Sequence, residues 1–141
     1  MESGLALRTP PCLGETIKAV MRTVLIVDDH SGFRSLAREL LQAGGYQVVG
    51  EAGDGTAALA STRALRPEVV LLDIQLPELD GFEVTRRLLA DGHAVVVVLI
   101  SSRDAADYGG RIAASGAAGF IAKAELSAAR LQALLHGAEG A

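Results

Sequence analysis

The chain predicts an α/β fold, a doubly wound parallel sheet with helices on both faces, and three observations lead there. The central one is Val69-Val70-Leu71-Leu72, four apolar residues in a row, which is the pattern of a strand buried on both faces. That run ends abruptly in Asp73, after which Pro77 stops the strand and Asp80-Gly81 makes a turn. The second is alternation: five short apolar runs are separated by segments whose apolar residues recur at helical spacing. The third is that four of the runs end in polar residues, namely Asp28 and Asp29, Asp73, Ser101, and Lys123. A parallel sheet brings those ends to one edge, where open sheets bind ligands.

In chain order, residues 1–21 contain Gly4, Pro10, Pro11 and Gly14 without clean periodicity and read as a mobile N-terminal extension. Glu15 to Met21 has room for a helical turn or two. Met21 directly precedes the first strand and is a candidate natural start, with a short interaction arm as the alternative. Val24-Leu25-Ile26-Val27 predicts the first strand, closed by Asp28-Asp29-His30. Phe33, Leu36, Ala37, Leu40 and Leu41 then recur at helical spacing, marking a helix that Gly44-Gly45 ends. Residues 46–51 predict the second strand. Asp54 is placed to cap a helix over about residues 56–64. After the central strand, Phe82, Thr85, Leu88 and Leu89 mark a third helix, ended by Asp91-Gly92.

Residues 94–100 predict the fourth strand, closed by Ser101-Ser102. Asp104 can cap a fourth helix, but Gly109-Gly110 falls inside it. Two interior glycines cost about 1 kcal/mol each relative to alanine, so this helix is expected to be weak or locally mobile. Gly119-Phe120-Ile121-Ala122 predicts a short fifth strand ending at Lys123. Leu126, Leu131, Leu134 and Leu135 mark the last helix, and residues 138–141 read as a C-terminal tail.

At 141 residues, half of them hydrophobic, the chain fits one domain with a proper core, and extensive disorder is excluded. No apolar run approaches the ~18 residues of a membrane span. Residues 1–21 lack a signal-peptide pattern, and the lone Cys12 cannot form an internal disulfide, which together favour a cytoplasmic protein. The net charge of −4 argues against non-specific nucleic-acid binding. Lys123 is the only lysine beyond residue 21, which singles it out.

The residue types at the sheet edge suggest a chemistry. Several acids in one cleft repel one another unless a cation offsets them. Mg2+ is a natural choice, since it takes one or two carboxylates, carbonyl oxygens and retained waters. A hydroxyl and an ammonium group opposite the acids would suit a phosphoryl oxygen. A carboxylate can itself accept a phosphoryl group. The set predicts Mg2+-assisted phosphoryl transfer to a carboxylate. Singly, Asp73 reads as a turn residue, Ser101 as a turn hydroxyl, Phe120 as a core aromatic and Lys123 as a solvated helix start; their order and spacing carry the reading. His30 reads as a helix-start residue, and His93 and His136 as surface residues.

With these residues in view, the chain resembles a receiver domain of two-component response regulators. The resemblance lies in Leu25-Ile26-Val27-Asp28-Asp29-His30, Leu71-Leu72-Asp73-Ile74-Gln75-Leu76-Pro77, Asp80-Gly81, Ser101 and Phe120-Ile121-Ala122-Lys123. It implies a (βα)5 flavodoxin-like sheet in the strand order 2-1-3-4-5 and assigns the receiver to residues 22–137. It implies Asp73 as phosphoacceptor, with Asp28, Asp29, Asp73 and the Gln75 carbonyl around Mg2+. It also implies that Ser101 and Lys123 hold phosphoryl oxygens, that Phe120 is an aromatic switch, and that Gln75 and Arg103 tune dephosphorylation. The donor would be a sensor histidine kinase or phosphotransfer protein. A downstream protein partner or second copy would bind helix 4, strand 5 and helix 5, with no nucleic acid and no membrane contacted by this chain.

Two features depart from the usual receiver pattern. Ala124 stands where many receivers have proline, which with Asp-Asp-His resembles the NarL/FixJ-type subfamily, whose members usually carry a helix-turn-helix output domain. Gly109-Gly110 falls in the helix that normally relays the signal. The first reading is a stand-alone receiver; a receiver fragment of a longer DNA-binding regulator is the variant. A small Mg2+-dependent phosphatase using Asp73 as nucleophile is the enzyme alternative, but it lacks the Asp-x-Asp pattern. A phosphorylation-independent scaffold is the third, and the intact set of five polar residues speaks against it.

Overall fold

The computed structural model describes residues 22–92 and 94–140. The proposed N-terminal extension, its helical turn over residues 15–21 and His93 lie outside the described residues. Five strands form one parallel sheet: β1 (Thr23–Val27), β2 (Gln47–Ala52), β3 (Val69–Asp73), β4 (Val96–Ser101) and β5 (Gly119–Ala122). Their spatial order is β2-β1-β3-β4-β5, the expected 2-1-3-4-5. Between them run α1 (Ser31–Ala43), α2 (Gly55–Leu65), α3 (Gly81–Ala90) and α4 (Arg111–Ala114), and α5 (Ala128–Gly140) follows β5.

Alternation along the strands explains the two-sided core. Successive side chains of a strand point to opposite faces. Val24, Ile26, Val69, Leu71, Val98 and Ile100 therefore share one face, where they meet Ala37 and Leu41 of α1 and Leu131 and Leu135 of α5. Leu25, Val27, Val70, Leu72, Val97 and Leu99 share the other, against Ala58 and Leu59 of α2 and Val84 and Leu88 of α3. β3 sits at the centre and is buried along all its length, as its unbroken apolar run requires. Each fully buried leucine there contributes about 1.5–3 kcal/mol relative to exposure.

Local chemistry sets the element ends. Asp54 and Asp80 each accept a backbone N–H three residues on, from Ala57 at 2.7 Å and Glu83 at 2.9 Å, and so cap α2 and α3. Gly44 ends α1, and Gly45 takes φ +97°, a left-handed conformation that glycine adopts without a side-chain clash. At the opposite edge from the strand ends, the Thr23 N–H donates to Glu68 Oε1 and the Glu68 N–H donates to Thr23 Oγ1, both at 2.9 Å. This reciprocal clamp ties the start of β1 to the approach of β3.

The helices marked by Leu36 and Leu89 form as expected, with those two residues 51% and 38% exposed. Three expectations need correction. The fourth strand begins at Val96 rather than 94, where pairing with Val69 starts. The fourth helix is not continuous. A 3-10 turn over Ala105–Tyr108 precedes the one-turn α4, and Gly109 at φ +58° breaks the chain between them. Last, α5 continues to Gly140, through residues where the sequence predicts a tail.

Candidate functional site

The site grows from the pairing of β1 with β3. Val27 lies opposite Leu72, so Asp28 and Asp73, the next residue on each chain, come out together at the carboxyl edge. Both carboxylates are buried, at 0% and 2% exposure. Lys123 follows β5 and reaches across the end of β4. Its Nζ lies 2.6 Å from Asp28 Oδ2 and 3.3 Å from Asp73 Oδ2, so one ammonium bridges the two acids. The ring of Phe33, which the sequence marks as a helix-core residue, also lines this site, with Lys123 Nζ 4.7 Å from its centroid.

The electrostatics follow from burial and charge count. Burial raises the Asp73 pKa above the ordinary carboxylate value, and the Asp28 charge adds to it; the Gln75 N–H and the Lys123 ammonium work the other way. Burial alone would lower the Lys123 pKa. Its close contact with Asp28 and the charges of Asp73 and Asp28 outweigh this and raise it, so the group stays an ammonium. Asp28 Oδ2 accepts no well-directed hydrogen bond and is matched by the Lys123 charge. Two carboxylates against one ammonium leave the buried centre with an excess of negative charge.

Asp29 stands on the lip of the cleft, with a side chain 35% exposed. His30 begins α1 as the sequence predicts, at the N-cap, yet its side chain makes no cap bond. Instead its Nδ1 lies 3.3 Å from Asp28 Oδ1 and 3.0 Å from Asp29 Oδ1, and its backbone N–H donates to Asp28 Oδ1 at 2.8 Å. Reading His30 as only a helix start therefore missed its contact with both acids. Arg34 Nη1 donates to the Asp28 carbonyl at 2.6 Å and supports the same turn. Asp28, Asp29 and His30 place ligand atoms within 4.8 Å of one another.

On the other side, the Gln75 N–H donates to Asp73 Oδ1 at 3.1 Å while the Gln75 side chain is exposed. Ser101 is fully buried at the end of β4. Its Oγ accepts the Arg103 N–H at 3.0 Å and lies 2.6 Å from the Tyr108 hydroxyl. The Arg103 side chain is exposed. Phe120 is half-buried, its ring 6.4 Å from that of Tyr108, which meets Phe82 edge-on at 5.8 Å. The structure thus gathers Asp28, Asp73 and Lys123 directly, sets Asp29 and the Gln75 backbone beside them, and binds Ser101 to Tyr108. Nothing in the spacing of Tyr108 points to Ser101; a tyrosine seven residues beyond a strand end carries no signal until the chain folds back.

The sheet order agrees with the comparisons to known proteins. Residues 24–136 match the family described as Response regulator receiver domain. Response regulator GacA of Pseudomonas viridiflava is 37% identical over 115 residues, covering 81% of this chain and 54% of that protein. BvgA of Bordetella pertussis is 39% identical over 102 residues, covering 72% of this chain and 49% of that protein. The chain thus spans about half the length of these curated relatives. Among solved structures, the signal receiver domain of NarL from Mycobacterium tuberculosis is 36% identical with a TM-score of 0.75, covering 86% of this chain and 98% of that one. A two-component response regulator of the LuxR family from Aurantimonas sp. SI85-9A1 is 28% identical, also with a TM-score of 0.75, covering 85% and 86%. Among the described residues, no helix is long and apolar enough to cross a membrane. The chain belongs to the response regulator receiver domains of two-component signalling.

Proposed function

We propose that the chain is a phosphorylation-controlled switch in which Asp73 accepts a phosphoryl group. The observation that carries the reading is the buried Asp28–Asp73 pair bridged by Lys123 at 2.6 and 3.3 Å. A carboxylate oxygen of Asp73 attacks the phosphorus of a phosphohistidine or small acyl phosphate, the bond to the donor breaks, and an aspartyl phosphate forms. Lys123 and Ser101 serve as donors to the phosphoryl oxygens, so the chain supplies positioning and charge.

The oxygen donors of Asp28, Asp29, Asp73 and the Gln75 carbonyl suit Mg2+, and the excess negative charge of the buried centre favours a cation there. When bound, Mg2+ supplies charge neutralisation at the transferring phosphoryl group. A sensor histidine kinase or phosphotransfer protein is the proposed donor. Phe120, the segment around α4, β5 and α5 form the proposed output surface for a downstream protein or second copy.

The direct test is incubation with acetyl phosphate and Mg2+ followed by intact mass measurement. One base-labile phosphoryl group is expected, and Asp73→Asn should remove it; labelling that persists in this variant would mean another acceptor. Asp29→Ala should weaken Mg2+ binding and slow labelling, and an unchanged Mg2+ titration would remove Asp29 from the ligand set. A second reading, the receiver part of a longer DNA-binding regulator, is favoured by the length of the relatives, of which the chain covers 54% and 49%. The mass of the native protein in cell extract distinguishes the two.

A further inference from the structure

We infer that Tyr108 is a positioning residue for phosphoryl recognition: it holds Ser101 so that the serine hydrogen is left for a phosphoryl oxygen. The inference rests on the phosphoacceptor role proposed for Asp73 and names the residue that prepares the hydroxyl beside it.

The argument is one of hydrogen-bond capacity. A serine hydroxyl has one hydrogen and two lone pairs. Ser101 is fully buried, so each of these must be met within the protein or by a ligand. The Arg103 N–H fills one lone pair at 3.0 Å. The Tyr108 hydroxyl lies 2.6 Å away. A phenol is the more acidic hydroxyl and an aliphatic oxygen the better acceptor, so the hydrogen between them belongs to Tyr108. Both lone pairs of Ser101 are then filled, and the remaining capacity of Oγ is to donate. A hydroxyl that accepts two bonds is also polarised into a stronger donor.

Aromatic packing places the phenol. Tyr108 meets Phe82 edge-on at 5.8 Å and Phe120 at 6.4 Å, so its ring is tied to α3 and β5. Arg111 lies over the other partner, Phe82, at 4.2 Å. The backbone of Tyr108, in contrast, ends a single 3-10 turn and leads straight into Gly109-Gly110. The residue behind Ser101 thus has a fixed ring on a weakly built backbone. Any movement of Ser101 toward a phosphoryl group passes to this segment through the 2.6 Å bond, alongside whatever Phe120 does.

A double-mutant cycle on the full chain tests the pair. Beryllofluoride binding in the presence of Mg2+ is measured by calorimetry for wild type, Tyr108→Phe, Ser101→Ala and the double variant. Tyr108→Phe keeps the ring and should weaken binding about fivefold, the effect of one lost hydrogen bond. In the Ser101→Ala background the same change should do nothing. Near-ultraviolet circular dichroism gives a second readout. The chain has two tyrosines and no tryptophan. Tyr46 is buried in the core facing α1 and α5. A tyrosine signal that changes with beryllofluoride in wild type should be lost in Tyr108→Phe. Equal or tighter binding by Tyr108→Phe, or the same loss in both backgrounds, overturns the role of Tyr108 alone. Wild-type protein that binds no beryllofluoride overturns the Asp73 reading and this one with it.

Discussion

The two halves of the carboxyl edge are built to different standards. On the acid side, Asp28 and Asp73 follow runs, residues 24–27 and 69–72, that are fully buried between the two faces of the sheet. The turn after Asp73 closes on itself, with the Gly81 N–H donating to the Ile74 carbonyl at 2.8 Å. On the relay side, Ser101 leads into two helical pieces of four residues each, neither with a fully buried residue. The contrast teaches where a signal can be stored. Rigid packing holds reacting groups in register, while a segment with few buried contacts can change its arrangement for little free energy.

Truncating the packed side should show the largest effect. Leu72→Ala removes a fully buried side chain beside the acid pair and should lower unfolding free energy by about 3 kcal/mol. Ile112→Ala, at a half-buried position of α4, should lower it by about 1 kcal/mol or less. Urea unfolding of the two variants compares them directly, and equal losses would mean that α4 is as firmly packed as β3.

Alanine at two glycines should sharpen the contrast in sign. A Cβ at Gly81 would stand 2.6 Å from the Asp73 carbonyl oxygen and 2.7 Å from Ile74 Cα, both backbone atoms. Gly81→Ala should therefore destabilise by about 1–3 kcal/mol and slow labelling of Asp73. At Gly110, φ is −85° and a Cβ would meet nothing within 4 Å. Gly110→Ala should stabilise by about 0.4–1 kcal/mol by restricting the unfolded chain. A stability loss at Gly110 would show that this turn needs glycine.

The pH dependence is the subtlest comparison. Burial raises the Asp73 pKa above its ordinary 3.8, so the folded state holds that proton more tightly than the unfolded chain. The stabilising contribution is fully present below pH 3.8 and is lost as pH rises through the folded value. Asp73→Asn should thus be more stable than wild type at neutral pH, with the gain shrinking in acid. A difference that does not vary with pH would assign it to packing. Lys123, raised above 10.5, should contribute stability that survives to that pH and is lost above it.

The legible parts of the molecule were those written in consecutive residues. Val69-Val70-Leu71-Leu72-Asp73 announces both a central strand and an acid at its end, and Lys123 stands out as the lone lysine of the folded region. Asp54 announces its cap by position alone. Leu36 and Leu89 mark their helices by spacing, which does not tell how far each is exposed. His30 lies next to the acids in sequence, yet that its ring faces them instead of capping the helix is visible only in the folded chain. Tyr108 was illegible, since its role comes from a contact across seven residues and three aromatic rings that only the folded chain assembles.

The reciprocal clamp between Thr23 and Glu68 has a mechanical consequence. It lies at the amino-terminal edge of the sheet, with the full length of β1 between it and Asp28. Tension entering through residue 22 is met first by those two 2.9 Å bonds and by the Gln47 N–H donating to the Arg22 carbonyl at 2.8 Å. A tether attached there loads the sheet at its base, so the cleft can be held on a surface for single-molecule work with its mouth facing solution.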